Sequence, residues 1–484
     1  MFVAAKAEAN KKAPFRLHLF SEPIHFDAYR QKNSNAGYLL SQTHWSYLKF
    51  RKGELQPALA EACDWKGPLK VECRLRKDLK YSNGQPILAA DWLRPLKLML
   101  DSKNPAPKAD LLFPIKNARK ILEGKSDFST LGMKFVKNRV VFELEYPYSD
   151  FLYHLTLSHL APLPEAISKN VAEIPVSGPF KIKEHLPANR TILEPNMHFF
   201  DGLAAQRPEV EFFFVSEDAV ALSLYKTGKL DFNRRLATMN LPEFQKSPDY
   251  HEIPLLRFDY IGLRPFLQLE QRKKLAESLD YDALGKMFFA KPRPGCLGIP
   301  AEWYGGKTLC HDLKPKQEAS SSLSPFPKSK ILFSKLGGDD HRRAMEWVQS
   351  EWMRHLGYLV DVQQMENNLF LEELKKNDPV LFRKGVSLDR PTCLAAIEVF
   401  HSESVENFFQ WKPAEMDRWI EALRRSSKKS DQMKICKEAV AHLMKNFWII
   451  PTGPIYFAVL AKPEWTGWNL NQLNELDLAE LRRK

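Results

Sequence analysis

Polar and apolar residues alternate along Phe15-Arg16-Leu17-His18-Leu19, and a period of two predicts a strand. The same alternation marks Leu69–Leu75, and Arg190–Leu193 is a β-rich run after a Pro187-Ala188-Asn189 turn. Helical spacing covers Gly37–Leu48, a stretch from Ala89 to about Leu100, Arg342–Leu356, Glu415–Arg425 and Gln432–Phe447. Another helix carries Leu222 and Tyr225 and closes at Gly228, while Gly357 closes the one before a strand at Tyr358–Val362. Asn83-Gly84 signals a tight turn, a polar loop is expected through Asn33-Ser34-Asn35, and Lys314–Lys328 reads as a surface loop. In Leu381–Pro391, a strand Val380-Leu381-Phe382 runs out through Gly385 into a loop carrying one acid, Asp389. Helices alternating with strands favour α/β domains with mixed sheets.

At 484 residues the chain exceeds one hydrophobic core, so two or three domains are expected. Hydrophobic residues at 44% and charged residues at 27% mark a globular composition. No apolar run approaches the ~20 residues that span a bilayer. The net charge of +12 admits anionic partners, but Lys and Arg are spread along the whole chain. The densest group, Arg424-Arg425-Ser426-Ser427-Lys428-Lys429, follows a helical pattern whose C-terminal end suits cations. The basic residues therefore read as a solvated surface, not a nucleic-acid site.

The six cysteines, Cys63, Cys73, Cys296, Cys310, Cys393 and Cys436, contain no CxxC, which removes zinc-ribbon and thioredoxin readings. An even number allows disulfides in an exported protein, and Cys63 and Cys73 flank a Lys66-Gly67-Pro68 turn. Six buried free thiols fit the sequence equally well. Near the start, Ala7-Glu8-Ala9 resembles the cleavage site of a signal peptide whose charged and apolar regions lie upstream of Met1.

For catalysis there is no HExxH, GxSxG or GxGxxG. Gly305-Gly306-Lys307-Thr308 ends like a phosphate loop, but Ala301 stands five positions before Gly306, so a plain turn is expected. His154 and His159 are five apart, off one helical face, and Glu372-Glu373 reads as a solvated helix face. No enzyme activity, metal or cofactor is expected.

Short motifs in fixed order carry more weight. They are Ser21-Glu22-Pro23-Ile24-His25-Phe26-Asp27, Pro57–Ala62, Arg76–Pro86, Ser177-Gly178-Pro179-Phe180, Phe199-Phe200-Asp201-Gly202, Lys226–Asp231, Leu275–Asp280, Phe400-His401-Ser402 and Ile450-Pro451. Together they resemble the extracellular solute-binding proteins of the dipeptide/oligopeptide type, family 5, the receptors of ABC importers.

That resemblance implies an α/β, two-lobed periplasmic-binding-protein fold (class II, peptide-binding type) with an additional inserted domain in the first lobe. The expected division is 1–54, 173–262 and 452–484 for the first-lobe core, 55–172 for the insertion and 263–451 for the second lobe. The implied function is capture of di- and oligopeptides in an interlobe cleft, closed by hinge motion, and delivery to ABC permease subunits by a periplasmic monomer. The family's Gly-Trp-x-x-Asp loop, which holds the peptide α-amino group, is matched at the Gly and the Asp of Gly385-Val386-Ser387-Leu388-Asp389. The implied ligand residues are Asp389, Leu388, Ser387 and Arg390, with Ser34 and Asn35 facing them. A buried ammonium requires a paired carboxylate, which supports Asp389 in that role. Two departures bear on the ligand: Val386 replaces an aromatic residue, and Arg390 sits beside the acid. The alternative is a cytosolic or extracytoplasmic sensor of the same fold for a non-peptide solute. Residues 1–14 leave no room for a helix-turn-helix in front of it. Nothing supports a hydrolase.

Overall fold

The alternating segment forms the strand Phe15–Leu19, with Phe15, Leu17, Leu19 and also His18 fully buried. A strand buried on both faces belongs in the middle of a sheet. In the computed structural model, which describes residues 13–31, 34–165, 168, 170–288, 295–311, 325–411 and 413–484, it takes that place. The chain divides into two compact units. One comprises Met1–Leu236, Pro242–Ile253 and Ala458–Lys484, the other Ala237–Leu241 and Pro254–Phe457.

In the first unit, Phe15–Leu19 lies parallel to Val210–Phe214 on one side and to Phe232–Asn233 on the other. Arg190–Pro195 and Phe180–Leu186 continue the sheet antiparallel. A separate antiparallel sheet has the order Ala60–Trp65, Lys70–Leu75, Arg139–Glu143, Met133–Val136. Its first hairpin sets Cys63 directly opposite Cys73, and the two are bonded. The helix expected at Gly37–Leu48 instead spans Ser34–Thr43, so Ser34 and Asn35 open a helix and are not loop residues. Beyond Thr43 the backbone finds tertiary partners that a helix would deny it. Trp45 N donates to Ser177 Oγ at 3.2 Å, Ser177 Oγ donates to Trp45 O at 2.9 Å, and Leu48 N donates to Leu155 O at 3.1 Å.

In the second unit, Lys330–Ser334 runs parallel to both Asp361–Met365 and Val380–Ser387. The latter pairs antiparallel with Tyr250–Gly262 from Arg257↔Ser387 to Gly262↔Phe382. The core gathers Ile261, Ile331, Phe333 and Leu381 under the helix Gly338–Leu356, whose Val348 and Trp352 are fully buried. Trp352 Nε1 donates to Leu275 O at 2.9 Å, giving the buried indole its partner. The strand expected at Tyr358–Val362 begins only at Asp361. Gly357, at φ +63°, turns the chain out of the helix, and Tyr358 N still donates back to Trp352 O at 3.2 Å. The helices Ala414–Arg425 and Lys429–Lys445 stand where the apolar spacing places them.

All six cysteines are paired: Cys63–Cys73, Cys296–Cys310 and Cys393–Cys436. The free-thiol alternative is thereby overturned. The Ala7-Glu8-Ala9 pattern and most of the Lys314–Lys328 loop lie outside the described residues.

Candidate functional site

The strand carrying the expected site does not stop at Gly385 but continues to Ser387. Gly385 pairs with Asp259 across the ladder, and a side chain there would collide with Asp259 Oδ1 and come within 2.5 Å of Arg257 Nη2. The glycine therefore serves a close approach inside the strand and not a turn. Leu388 N donates to Leu256 O at 2.9 Å, anchoring the first loop residue with its side chain buried. Thr392 closes the loop: its Oγ1 accepts from Ala395 N at 3.2 Å and caps the short helix Cys393–Ile397.

Ser387, just before the first anchor, and Asp389, between the two, face outward, and Arg390 faces in. The Asp389 side chain is 47% exposed, that of Arg390 2%. The Arg390 guanidinium donates to Glu398 through Nη2 and stands 3.5 Å from Asp389 Oδ2 through Nη1. Burial raises the Glu398 carboxyl above its ordinary value; Arg390 opposes this and the Asp389 charge adds to it. Of the expected residues, Ser387 thus ends the strand and Leu388, Asp389 and Arg390 form the loop that follows it. Ser34 and Asn35 are the first two residues of a helix in the other unit, and their side chains lie outside the described residues.

A second charged group in the same unit was missed by sequence reasoning. Asp259 has no exposed side-chain surface; it accepts from Arg257 Nε at 2.8 Å, pairs with Arg383 and lies 3.8 Å from His341 Nε2. Arg383 Nη2 and His341 Nε2 are 2.8 Å apart. Burial lowers the Arg257 guanidinium to about 10 and takes Arg383 well below its ordinary value, with Arg257 adding repulsion. Two guanidinium groups thus share one buried carboxylate. The available signal was the pair Arg257 and Asp259, two apart on one strand face; nothing local marked Arg383 or His341 as their partners.

Ser402, His401 and Asp417 come close in the arrangement of a clamp, not a nucleophile. Ser402 Oγ donates to Asp417 at 2.6 Å, while His401 Nε2 lies 3.8 Å from the same acid. The serine is held by the carboxylate and has no imidazole base between them. Among the described residues, no group of three or more His, Cys, Asp or Glu side chains could hold a metal ion, and no helix is long and apolar enough to cross a membrane.

Known proteins resemble this chain over nearly its whole length. The oligopeptide-binding protein OppA of Bacillus subtilis is 22% identical over 93% of this chain and 89% of its own. The probable deoxycholate-binding periplasmic protein YgiS of Escherichia coli is 23% identical over 93% of this chain and 88% of its own. The crystal structure of Haemophilus influenzae OppA in complex with RPPGFSPFR superposes with a TM-score of 0.81 at 19% identity, covering 98% of this chain and 99% of that one. Residues 54–407 match the family described as bacterial extracellular solute-binding proteins, family 5 Middle, and the chain belongs to that family.

Proposed function

We propose that this protein is the substrate-binding component of an ABC importer, that it captures peptides and passes them to membrane permease subunits, and that it performs no reaction. The observation that carries the reading is the Asp389 carboxylate, about half exposed at the tip of a loop anchored at both ends by Leu388 and Thr392. An anchored carboxylate suits the cationic group that every unmodified peptide carries, its α-ammonium, because the pair strengthens once water is excluded. Main-chain groups of the strand end at Ser387 and Leu388 would hold the peptide backbone, leaving its side chains free. Three disulfides support an exported, periplasmic location, since such bonds persist in oxidising compartments. The four-stranded sheet within residues 60–143 supports treating 55–172 as an insertion in the first lobe; residues 254–262, expected in the first-lobe core, go with the second lobe, where 257–262 pair with 382–387, as do 452–457. The protein acts as a monomer.

A second reading, an anionic non-peptide solute, is favoured by Arg257 and Arg383, two guanidinium groups around the single carboxylate of Asp259. Native mass spectrometry of the ligand that co-purifies separates the two. Calorimetry with free and N-acetylated forms of that ligand then tests the amine site. Asp389→Asn should weaken the free peptide by on the order of 30-fold or more, as when one partner of a buried charge pair is lost. Equal affinity of the wild type for both forms removes Asp389 from the site.

A further inference from the structure

Every residue from Asp64 to Lys70, around the turn between the strands Ala60–Trp65 and Lys70–Leu75, is exposed. The turn is nevertheless well held. Lys66 N donates to Lys70 O at 2.8 Å, and Lys70 N donates back to Gly67 O at 3.4 Å. Leu144 N donates to Leu69 O at 2.8 Å, which fixes the base of the turn to the neighbouring chain. Behind the turn come the pairs Trp65↔Val71, Asp64↔Glu72 and Cys63↔Cys73, and the last of these is a disulfide. The tip is a braced hairpin.

Its side chains are unusual for a turn in water, where Asn, Asp and Ser prevail. Trp65 is 36% exposed and Leu69 43%, and each has a lysine next to it in the chain, Lys66 and Lys70. One acid is near: Lys66 Nζ lies 3.8 Å from Asp64 Oδ2, but both side chains are largely in water, so that pair is weak. Lys70 has no ion pair among the described residues.

Exposed apolar groups beside like charges call for a covering surface of opposite charge. A specific protein interface takes about 800 Å² from each partner, more than a turn of seven residues presents. A lipid surface asks for less. An indole rests at the headgroup boundary with its ring in the acyl layer, a leucine enters that layer, and lysine stems reach back to the phosphates. The net charge of +12 draws the whole protein toward the same surface. Because the tip is already ordered, docking immobilises little that was free.

We propose that the hairpin tip Trp65–Leu69, with Lys70, docks this protein on an anionic lipid surface, Trp65 and Leu69 entering the headgroup boundary and Lys66 and Lys70 meeting the phosphates. The contact is peripheral and reversible, since two apolar side chains anchor far less than a spanning helix. It involves no ligand and does not rest on the peptide reading.

The test is flotation of the full chain with vesicles of phosphatidylcholine, alone or mixed with phosphatidylglycerol. The protein should float with the mixed vesicles, less so as salt is raised, and not with phosphatidylcholine alone. Brominated acyl chains should quench the part of the tryptophan emission that Trp65→Phe removes. Lys66→Gln with Lys70→Gln should weaken binding about tenfold or more, and so should Trp65→Ala with Leu69→Ala. An unchanged denaturation midpoint shows that these variants fold. Lys428→Gln with Lys429→Gln takes the same charge from another exposed stretch and should leave binding as it was. Failure to float with mixed vesicles overturns the proposal, as does unchanged binding in both hairpin variants or equal weakening in the Lys428 and Lys429 variant. Retention only by vesicles that carry permease subunits gives the tip a protein partner and overturns it as well.

Discussion

Replacing Asp259 with Asn keeps the size of the side chain and removes the carboxylate that Arg257 and Arg383 share. Asp259 is fully buried, with Arg257 Nε at 2.8 Å and Arg383 paired to its other oxygen. In the variant, Arg383 would remain 6% exposed, with His341 Nε2 at 2.8 Å and no carboxylate from Asp259. Breaking a buried ion pair by removing one partner costs roughly 3–5 kcal/mol, because the remaining charge stays desolvated. The Arg257 side chain is 26% exposed and can turn toward water, which relieves part of that cost. A loss of about 3 kcal/mol is therefore expected, toward the lower end of that range. Urea denaturation gives the total, and native-state hydrogen exchange locates it, because the chain has two compact units and need not unfold in one step. The amides of 257–262 and 382–387 should lose protection first. Adding Arg383→Gln should recover part of the loss, since the stranded charge is then gone. A loss below about 1 kcal/mol, or loss of protection confined to the sheet around Phe15–Leu19, would refute the assignment of Asp259 as the counterion that holds this strand pair.

Gly385→Ala should cost about 1–3 kcal/mol by overpacking against Asp259 and Arg257, and an unchanged denaturation midpoint would show that the strands separate freely there. Removing the Cys393–Cys436 bond with paired Ala substitutions releases a 43-residue loop, for which chain entropy gives about 4 kcal/mol; denaturation with the other two bonds intact measures it. Burial holds His18 and His44 each at about 4 instead of the usual 6.5, so both are neutral in the folded state. The unfolded chain takes up protons first as pH falls, so their contribution is complete above pH 6.5 and is lost on acidification toward 4, by roughly 3 kcal/mol for each histidine. Denaturation at stepped pH should show this slope flattened in His18→Asn, and an equal slope in both proteins would contradict it.

What the sequence by itself determined is what depends on near neighbours. Alternation placed the strand at Phe15–Leu19, and apolar spacing placed the helices that end at Leu356 and Arg425. Gly357 closed its helix because a positive φ costs glycine little. Cys63 and Cys73 were legible as possible partners because a single turn separates them. Asp389 stood out only through motif order along the whole chain, since an acid before Arg-Pro has an ordinary turn explanation. The tertiary structure decided the rest. Whether Gly385 ends a strand or sits inside one depends on Asp259, 126 positions away in the chain and directly opposite across the ladder. The helix at Ser34–Thr43 stops where Ser177 takes over the backbone groups of Trp45. Which cysteine joins Cys393 followed from which helices meet, and Cys296 meets Cys310 across an isolated bridge between loop segments. Arg390 pairs with Glu398, which follows a helix tied down by a disulfide, and no local pattern marked that pair. Charges act through space and local pattern acts along the chain, so partners brought together only by folding leave no period or spacing to read.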